Sequence, residues 1–329
     1  MRPVDRPQER GAALLTVLLL VAVIAVLSAT ALERLRLATK LGGNAVALDQ
    51  ARAAAIAAEA LATIKVSDLL RQRPNLVTLA GDWSGKPFAL PVPGGIATAR
   101  IVDGGNCFNL NGLVLPAGGG IYVANPVAMD RFAKLMRVIG APVRSPESVA
   151  AAATDWIDSD TDAQPNGAED SDYAGLATPY RTPNMLMTDV SELRAVKGVT
   201  PELYAKLRPW ICALPRAAQS KVNVNTLLPE QAPLLAILTP GAPNVGAMQR
   251  ALLDRPALGY ESVEKFWASS ALAGIGDNGG AATESSVTTK WFALRVDVRL
   301  KDGDLEQNGL IDASTLPARL VSRQWGETS

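Results

Sequence analysis

The chain has 329 residues, with 32 Lys and Arg balanced by 32 Asp and Glu, so nothing in its mean charge favours nucleic acid or an anionic surface as a partner. It contains no histidine, which removes the commonest general base, the commonest metal ligand and every Ser-His-Asp or Cys-His nucleophile. Two cysteines, Cys107 and Cys212, are too few for a zinc cluster; either they bond to each other in an oxidising compartment or they fill space as small buried hydrophobes.

The first predicted element is a long helix. Residues 12–32 carry no formal charge, and Thr16, Ser28 and Thr30 are the polar side chains among them. At 1.5 Å per residue these 21 residues reach about 31 Å, the thickness of a bilayer's hydrocarbon core. A cleaved secretory signal has a shorter apolar core and a small-x-small cleavage site, which residues 28–32 only imitate. Arg2, Arg6 and Arg10 precede the run, and Arg34, Arg36 and Lys40 follow it, so the positive-inside count leaves its orientation open. Good helix formers with apolar residues at three and four spacing continue to about Gln72, with Gly42 and Gly43 as the expected weak point. The second half of such a helix can pack on a globular domain.

After this helix the texture becomes strand-like, with a partly alternating run at 96–102. The last forty residues are similar: Phe292, Leu294, Val296 and Val298 alternate, Lys301, Asp302 and Gly303 read as a turn, and a short strand is expected near Leu320. Between the two strand-rich pieces lies a mostly helical stretch, with helices expected over 127–140, 145–159, 189–197, 201–214, 229–238 and 245–254. Thr200 before Pro201 opens one of these well, as a cap before proline at the first position. The fold class expected is α+β, a long N-terminal helix packed on an antiparallel sheet that a large, mostly α-helical insertion interrupts. Residues 189–216 also invite a helix-hairpin-helix reading, but Arg194, Lys197, Lys206, Arg208 and Arg216 are interspersed with Asp189, Glu192 and Glu202. That mixture is typical of a solvated face, and nucleic-acid binding is not expected.

Residues 155–173 hold seven carboxylates and no lysine or arginine. Counted from Asp158, the residues Asp158, Asp160 and Asp162 take positions one, three and five of a calcium loop, and Glu169 takes position twelve, where a bidentate glutamate belongs. Ala163 stands at position six, where that loop needs glycine, so Pro165 and Gly167 imply a different bend. An oxygen cluster without nitrogen or sulfur suits calcium. Asp155, Asp170 and Asp172 are candidates to complete the shell, and the expected set adds Asp170 and Asp172. Paired catalytic carboxylates of a glycosidase would need aromatic sugar platforms, and aromatics form only 5% of the chain.

Three features together resemble a known family: a short charged leader ending in Gly11, an apolar helix merging into an amphipathic one, and the segments FNLN at 108–111, DVSELR at 189–194 and VNVNT at 222–226. The leader is similar to the class III leader of type IV pilins and type II secretion pseudopilins. The other segments, together with the length and Thr16, resemble the K-type minor pseudopilins, over essentially the whole chain. The resemblance implies that a prepilin peptidase cuts between Gly11 and Ala12, leaving a single inner-membrane span at 12–32 and the bulk of the chain in the periplasm. It implies a pilin-like domain in two parts, 33–119 and 286–329, around an inserted calcium-binding domain at 120–285. Most members carry glutamate at mature position five to neutralise a neighbour's terminal amine, and here Thr16 stands there. A subunit with no amine ahead of it has no need of that charge. The expectation is therefore a tip subunit that initiates or caps the pseudopilus with I-type and J-type minor pseudopilins on the inner-membrane secretion platform, without catalysis. Periplasmic exposure makes a Cys107 to Cys212 disulfide the expected state. The alternative is a signal-anchored periplasmic calcium-dependent enzyme such as a glycan hydrolase.

Overall fold

The computed structural model describes residues 8–275, 280–301 and 303–326, with side chains in the first helix from residue 12 onward. Its strands are β1 (Phe88–Val92), β2 (Gly95–Asp103), β3 (Phe108–Asn109), β4 (Val114–Gly118), β5 (Ile121–Ala124), β6 (Ile211–Cys212), β7 (Val222–Asn223), β8 (Ser285–Ser286), β9 (Trp291–Leu300), β10 (Gly303–Asp312) and β11 (Arg319–Trp325). Its α-helices are α1 (Gln8–Gln72), α2 (Pro126–Val138), α3 (Pro146–Asp155), α4 (Asp170–Tyr173), α5 (Pro201–Leu207), α6 (Ala232–Ala236), α7 (Val245–Leu253), α8 (Val263–Trp267) and α9 (Gly280–Thr283).

The first helix is continuous. Gly42 and Gly43 do not break it, because a cost of about 1 kcal/mol each is small against the strong helix formers on both sides. Leader residues 1–7 lie outside the described residues, and from Gln8 the backbone is already helical through Gly11 and Ala12. Residues 12–46 are exposed. The packed face begins at Ala47 and continues through Ala51, Ala54, Ala55, Ala58, Ala62, Val66 and Leu70. This three-and-four spacing keeps them on one side, and small alanines let the helix approach the sheet closely.

The sheet it covers is antiparallel throughout, in the order β1-β2-β9-β10-β11. Phe292, Leu294, Val296 and Val298 of β9 alternate inward and meet Ala97, Ala99 and Ile101 of β2 under α1. The turn at 301–303 joins β9 to β10, and Asp302 within it lies outside the described residues. One polar clamp crosses this apolar layer. Glu59 of α1 is buried, accepts Arg323 Nε and Nη2 of β11 at 2.8 Å each, and accepts Gln307 Nε2 of β10 at 2.8 Å. Glu59→Ala should lower stability by about 1–2 kcal/mol in denaturant unfolding, since both donors lose their acceptor while Arg323 stays partly solvated. A variant as stable as wild type would mean the clamp contributes nothing.

Strands β2 and β9 are neighbours, paired from Gly95↔Leu300 to Asp103↔Phe292, although the whole inserted domain separates them in sequence. The insertion therefore starts at Gly104 and ends at Lys290, and is longer at both ends than the expected 120–285. Phe108, Leu110, Leu113 and Val114 join the insertion's core with Phe132, Leu135, Met136 and Tyr173, separate from the core under α1. The glycines at 118–120 are not a domain boundary. They form the tip of the β4–β5 hairpin, where φ of 93°, 61° and 82° excludes most other residues.

One helix, α5, ends well before the pattern suggests. Pro209 has no N–H to donate and its ring clashes with a preceding carbonyl, so α5 stops at Leu207 and passes through a 3-10 turn into β6, not on to 214. Residues 190–195 and 229–231 are likewise 3-10 turns. Buried asparagines fasten the domain. Asn111 Nδ2 donates to Met187 and Leu214 carbonyls at 2.8 and 2.9 Å while its Oδ1 accepts Met187 N at 2.7 Å. Asn225 does the same to Tyr260, and Asn223 Nδ2 donates to Val77 O at 3.0 Å. These three asparagines belong to the FNLN and VNVNT segments. Their side chains satisfy backbone groups that no ladder reaches.

Candidate functional site

The end of α3 and the loop after it bring three carboxylates together. Asp155 and Asp158 are three residues apart, and the helical turn persists past the end of α3 through Ile157 N and Asp158 N, both donating to Thr154 O at 2.9 Å. Residues at that spacing share a face. The chain then turns over residues 164–167, with Gly167 N donating to Gln164 O at 2.7 Å, and Glu169 arrives beside the pair, so that ligand oxygens of Asp155, Asp158 and Glu169 all lie within 4.8 Å of one another. Gly167 has a steric reason: a Cβ there would collide with Asp155 Oδ2.

All three carboxylates are buried. Asp155 is held by the loop, accepting Gln164 N at 3.0 Å and Ala168 N at 2.6 Å. Glu169 Oε2 accepts Thr182 Oγ1 at 3.0 Å. Both Asp158 oxygens and Glu169 Oε1 are buried without a hydrogen-bond partner among the described residues. Burial raises the pKa of all three; Asp158 is pushed up to about 7, by desolvation first and then by the charges of Asp160, Asp155 and Glu169. Three buried anions with no neutralising lysine or arginine are costly unless a cation or protons join them.

The structure does not gather the ligand set counted from loop spacing. Asp160 and Asp162 are exposed, and Asp160 Oδ1 caps Asp162 N at 2.9 Å. Asp170 Oδ1 accepts Thr182 N and Oγ1, each at 2.9 Å. Asp172 Oδ1 accepts Lys197 Nζ at 2.6 Å, which holds its pKa below the usual value, and its Oδ2 accepts Glu169 N. Of that set Asp158 and Glu169 do meet; Asp158 sits on a helical turn, where side chains three apart meet, and so faces Asp155 and not Asp160 and Asp162. Asp155 is the member that this count leaves out, and its signal in the sequence is the i, i+3 pair at a helix end. Packed beside the cluster, Trp156, Tyr173 and Tyr180 form an aromatic wall with centroids 5.1 to 6.1 Å apart.

Two further sequence-predicted positions take definite forms. Thr16 lies in the exposed apolar part of α1 and donates its Oγ1 to Ala13 O at 2.9 Å. That bond satisfies its hydroxyl within the helix. Cys107 and Cys212 form a disulfide with a Cα separation of 5.8 Å, beside the parallel pairing of β3 with β6.

With this geometry in hand, comparison with known proteins is specific. The family model described as type II secretion system protein K matches in two parts, over residues 106–216 and 222–288. The type II secretion system protein K of Pectobacterium carotovorum subsp. carotovorum is 34% identical over 322 residues, covering 98% of each chain. That of Aeromonas hydrophila is 36% identical over 259 residues, covering 77% of this chain and 78% of the relative. Among solved structures, a chain in the crystal structure of the GspK-GspI-GspJ complex from the enterotoxigenic Escherichia coli type 2 secretion system superposes with a TM-score of 0.75 at 30% identity, covering 85% of this chain and 97% of that one.

Proposed function

The chain belongs to the type II secretion system protein K family, and from that premise we propose that it is the tip subunit of a pseudopilus, assembled with I-type and J-type minor pseudopilins and without catalytic turnover. The observation that carries the reading is α1: an apolar, uncharged stretch at 12–32 stands clear of the globular part, with a self-satisfied Thr16 where a filament-body subunit would present a carboxylate. Such a helix can bundle with others in lipid and then in a filament, yet it offers no charge to a terminal amine above it. The chain of GspK in complex with GspI and GspJ, similar over 85% of this chain, supports the choice of partners.

In this reading a prepilin peptidase removes residues 1–11, the span sits in the inner membrane and the remainder is periplasmic. The buried carboxylates fit a calcium ion on the chemistry of their donors, which are hard oxygens with three atoms otherwise unpaired. Asp155, Asp158 and Glu169 would hold it. The ion would supply the positive charge that the acidic loop lacks, so its part is structural. N-terminal sequencing of the protein from secreting cells tests the assignment: a mature start at Ala12 is expected. A start at Met1, or after Ala31, would overturn it.

A further inference from the structure

We propose that a cleft at the base of the insertion, beside the start of β9, binds a short acidic peptide segment of a partner polypeptide. The cleft has a volume of about 340 Å³, and one lip is the stretch 216–221 while the other is 286–291. The lips are held in place by main-chain pairing. β7 runs parallel to β8, with Val222 N donating to Glu284 O at 2.9 Å and Val224 N to Ser286 O at 3.0 Å, so Lys221 and Ser286 cannot drift apart.

Three cations line this space: Arg216, Lys221 and Lys290. All three are exposed, and none makes an ion pair or side-chain hydrogen bond among the described residues. No carboxylate lines the cleft. The acids around it are already engaged, since Glu284 pairs with Arg131 at 3.3 Å. Asp103, behind the wall, is half-buried and accepts Thr289 Oγ1, Thr226 Oγ1 and Gly105 N. Some cations elsewhere on the chain are matched, as in Lys197 with Asp172 and Arg295 with Glu306. Three unmatched positive charges around one concavity create a local field that attracts anions.

The shape favours carboxylates on a peptide over a single phosphate. Phosphate sites usually present converging backbone N–H groups, whereas the donors here are side chains spread around a space of several atoms' width. A guanidinium takes a carboxylate through two parallel hydrogen bonds, and two lysines add point charges on either side. The hydroxyls of Ser220 and Thr288 supply neutral donors between them. Because both lips contribute, a bound segment would also bridge the stretch before β7 to the stretch that leads into β9. This inference stands on the cleft alone and not on a place at a filament tip.

The test uses the full chain in non-ionic detergent with fluorescein-labelled tetraglutamate, followed by anisotropy, with tetraglutamine as control. Saturable binding of the acidic peptide is expected, weakened about tenfold or more by Lys221→Gln with Lys290→Gln and by high salt, with unchanged melting temperature. Equal affinity in that double variant, equal affinity for tetraglutamine or no binding at all would each overturn the proposal. Displacement by inorganic phosphate more readily than by unlabelled peptide would overturn it in favour of a phosphate site.

Discussion

Chelating calcium should lower the melting temperature of the chain, and the loss should grow as pH rises from 5 to 7.5. With calcium a hundredfold above its Kd, binding stabilises the native state by about 2.7 kcal/mol, roughly 5 to 10 °C for a domain of this size. The pH dependence follows from Asp158. Its folded pKa of about 7 lies above the ordinary aspartate value of 3.8, so between those limits the metal-free folded state holds more protons than the unfolded state. Metal-free stability is therefore fully present below about 4 and falls as pH rises towards 7. Calcium requires deprotonated ligands, so the bound form gains as the free form loses. Asp158→Asn should abolish the difference between calcium and chelator, and in chelator at pH 7.5 it should melt above the wild type, because it removes a buried charge that has no partner. Glu169→Gln should also abolish the difference, whereas Asp160→Asn should keep it. Calorimetry with and without chelator decides: equal melting of the wild type in both, or loss of the effect in Asp160→Asn alone, would contradict the cluster described here.

Reduction of the Cys107–Cys212 bond is expected to destabilise the insertion by about 2–5 kcal/mol. The bond closes a loop of 105 residues, so in the entropic picture it restricts the unfolded chain by up to about 4.7 kcal/mol. It also holds β3 against β6, where two-residue strands have little pairing of their own. Cys107→Ser with Cys212→Ser should therefore unfold at lower denaturant than the wild type, with the core under α1 less affected. No thiol should react in the denatured, unreduced protein. Two reactive thiols would show that the bond does not form in solution.

What could be read from the sequence tracks how local the determining forces are. The long helix and the β9 strand were legible because periodicity over many residues repeats the same signal: alanines every three or four positions in one, Phe292 to Val298 at alternate positions in the other. The limits of the insertion were not. Two-residue strands such as β3 and β6 carry no periodicity, and the glycines at 118–120 mark a hairpin as readily as a boundary. In the acidic loop the crowding of carboxylates was legible from composition, while which of them meet was not. It depends on whether residues 155–158 are helical, and that is decided by packing of Trp156 and Ile157 into the core, not by the carboxylates. The clamp of Glu59 with Arg323 joins opposite ends of the chain and leaves no trace in local pattern. The three unmatched cations at 216, 221 and 290 escape notice for the same reason.

A tip subunit differs from a body subunit in where it is found, and position along the filament can be observed. The account predicts that pseudopili assembled in cells carrying this chain with a small epitope after residue 326 will show immunogold at one end of each filament and nowhere else. Gold distributed along the filament length would contradict it.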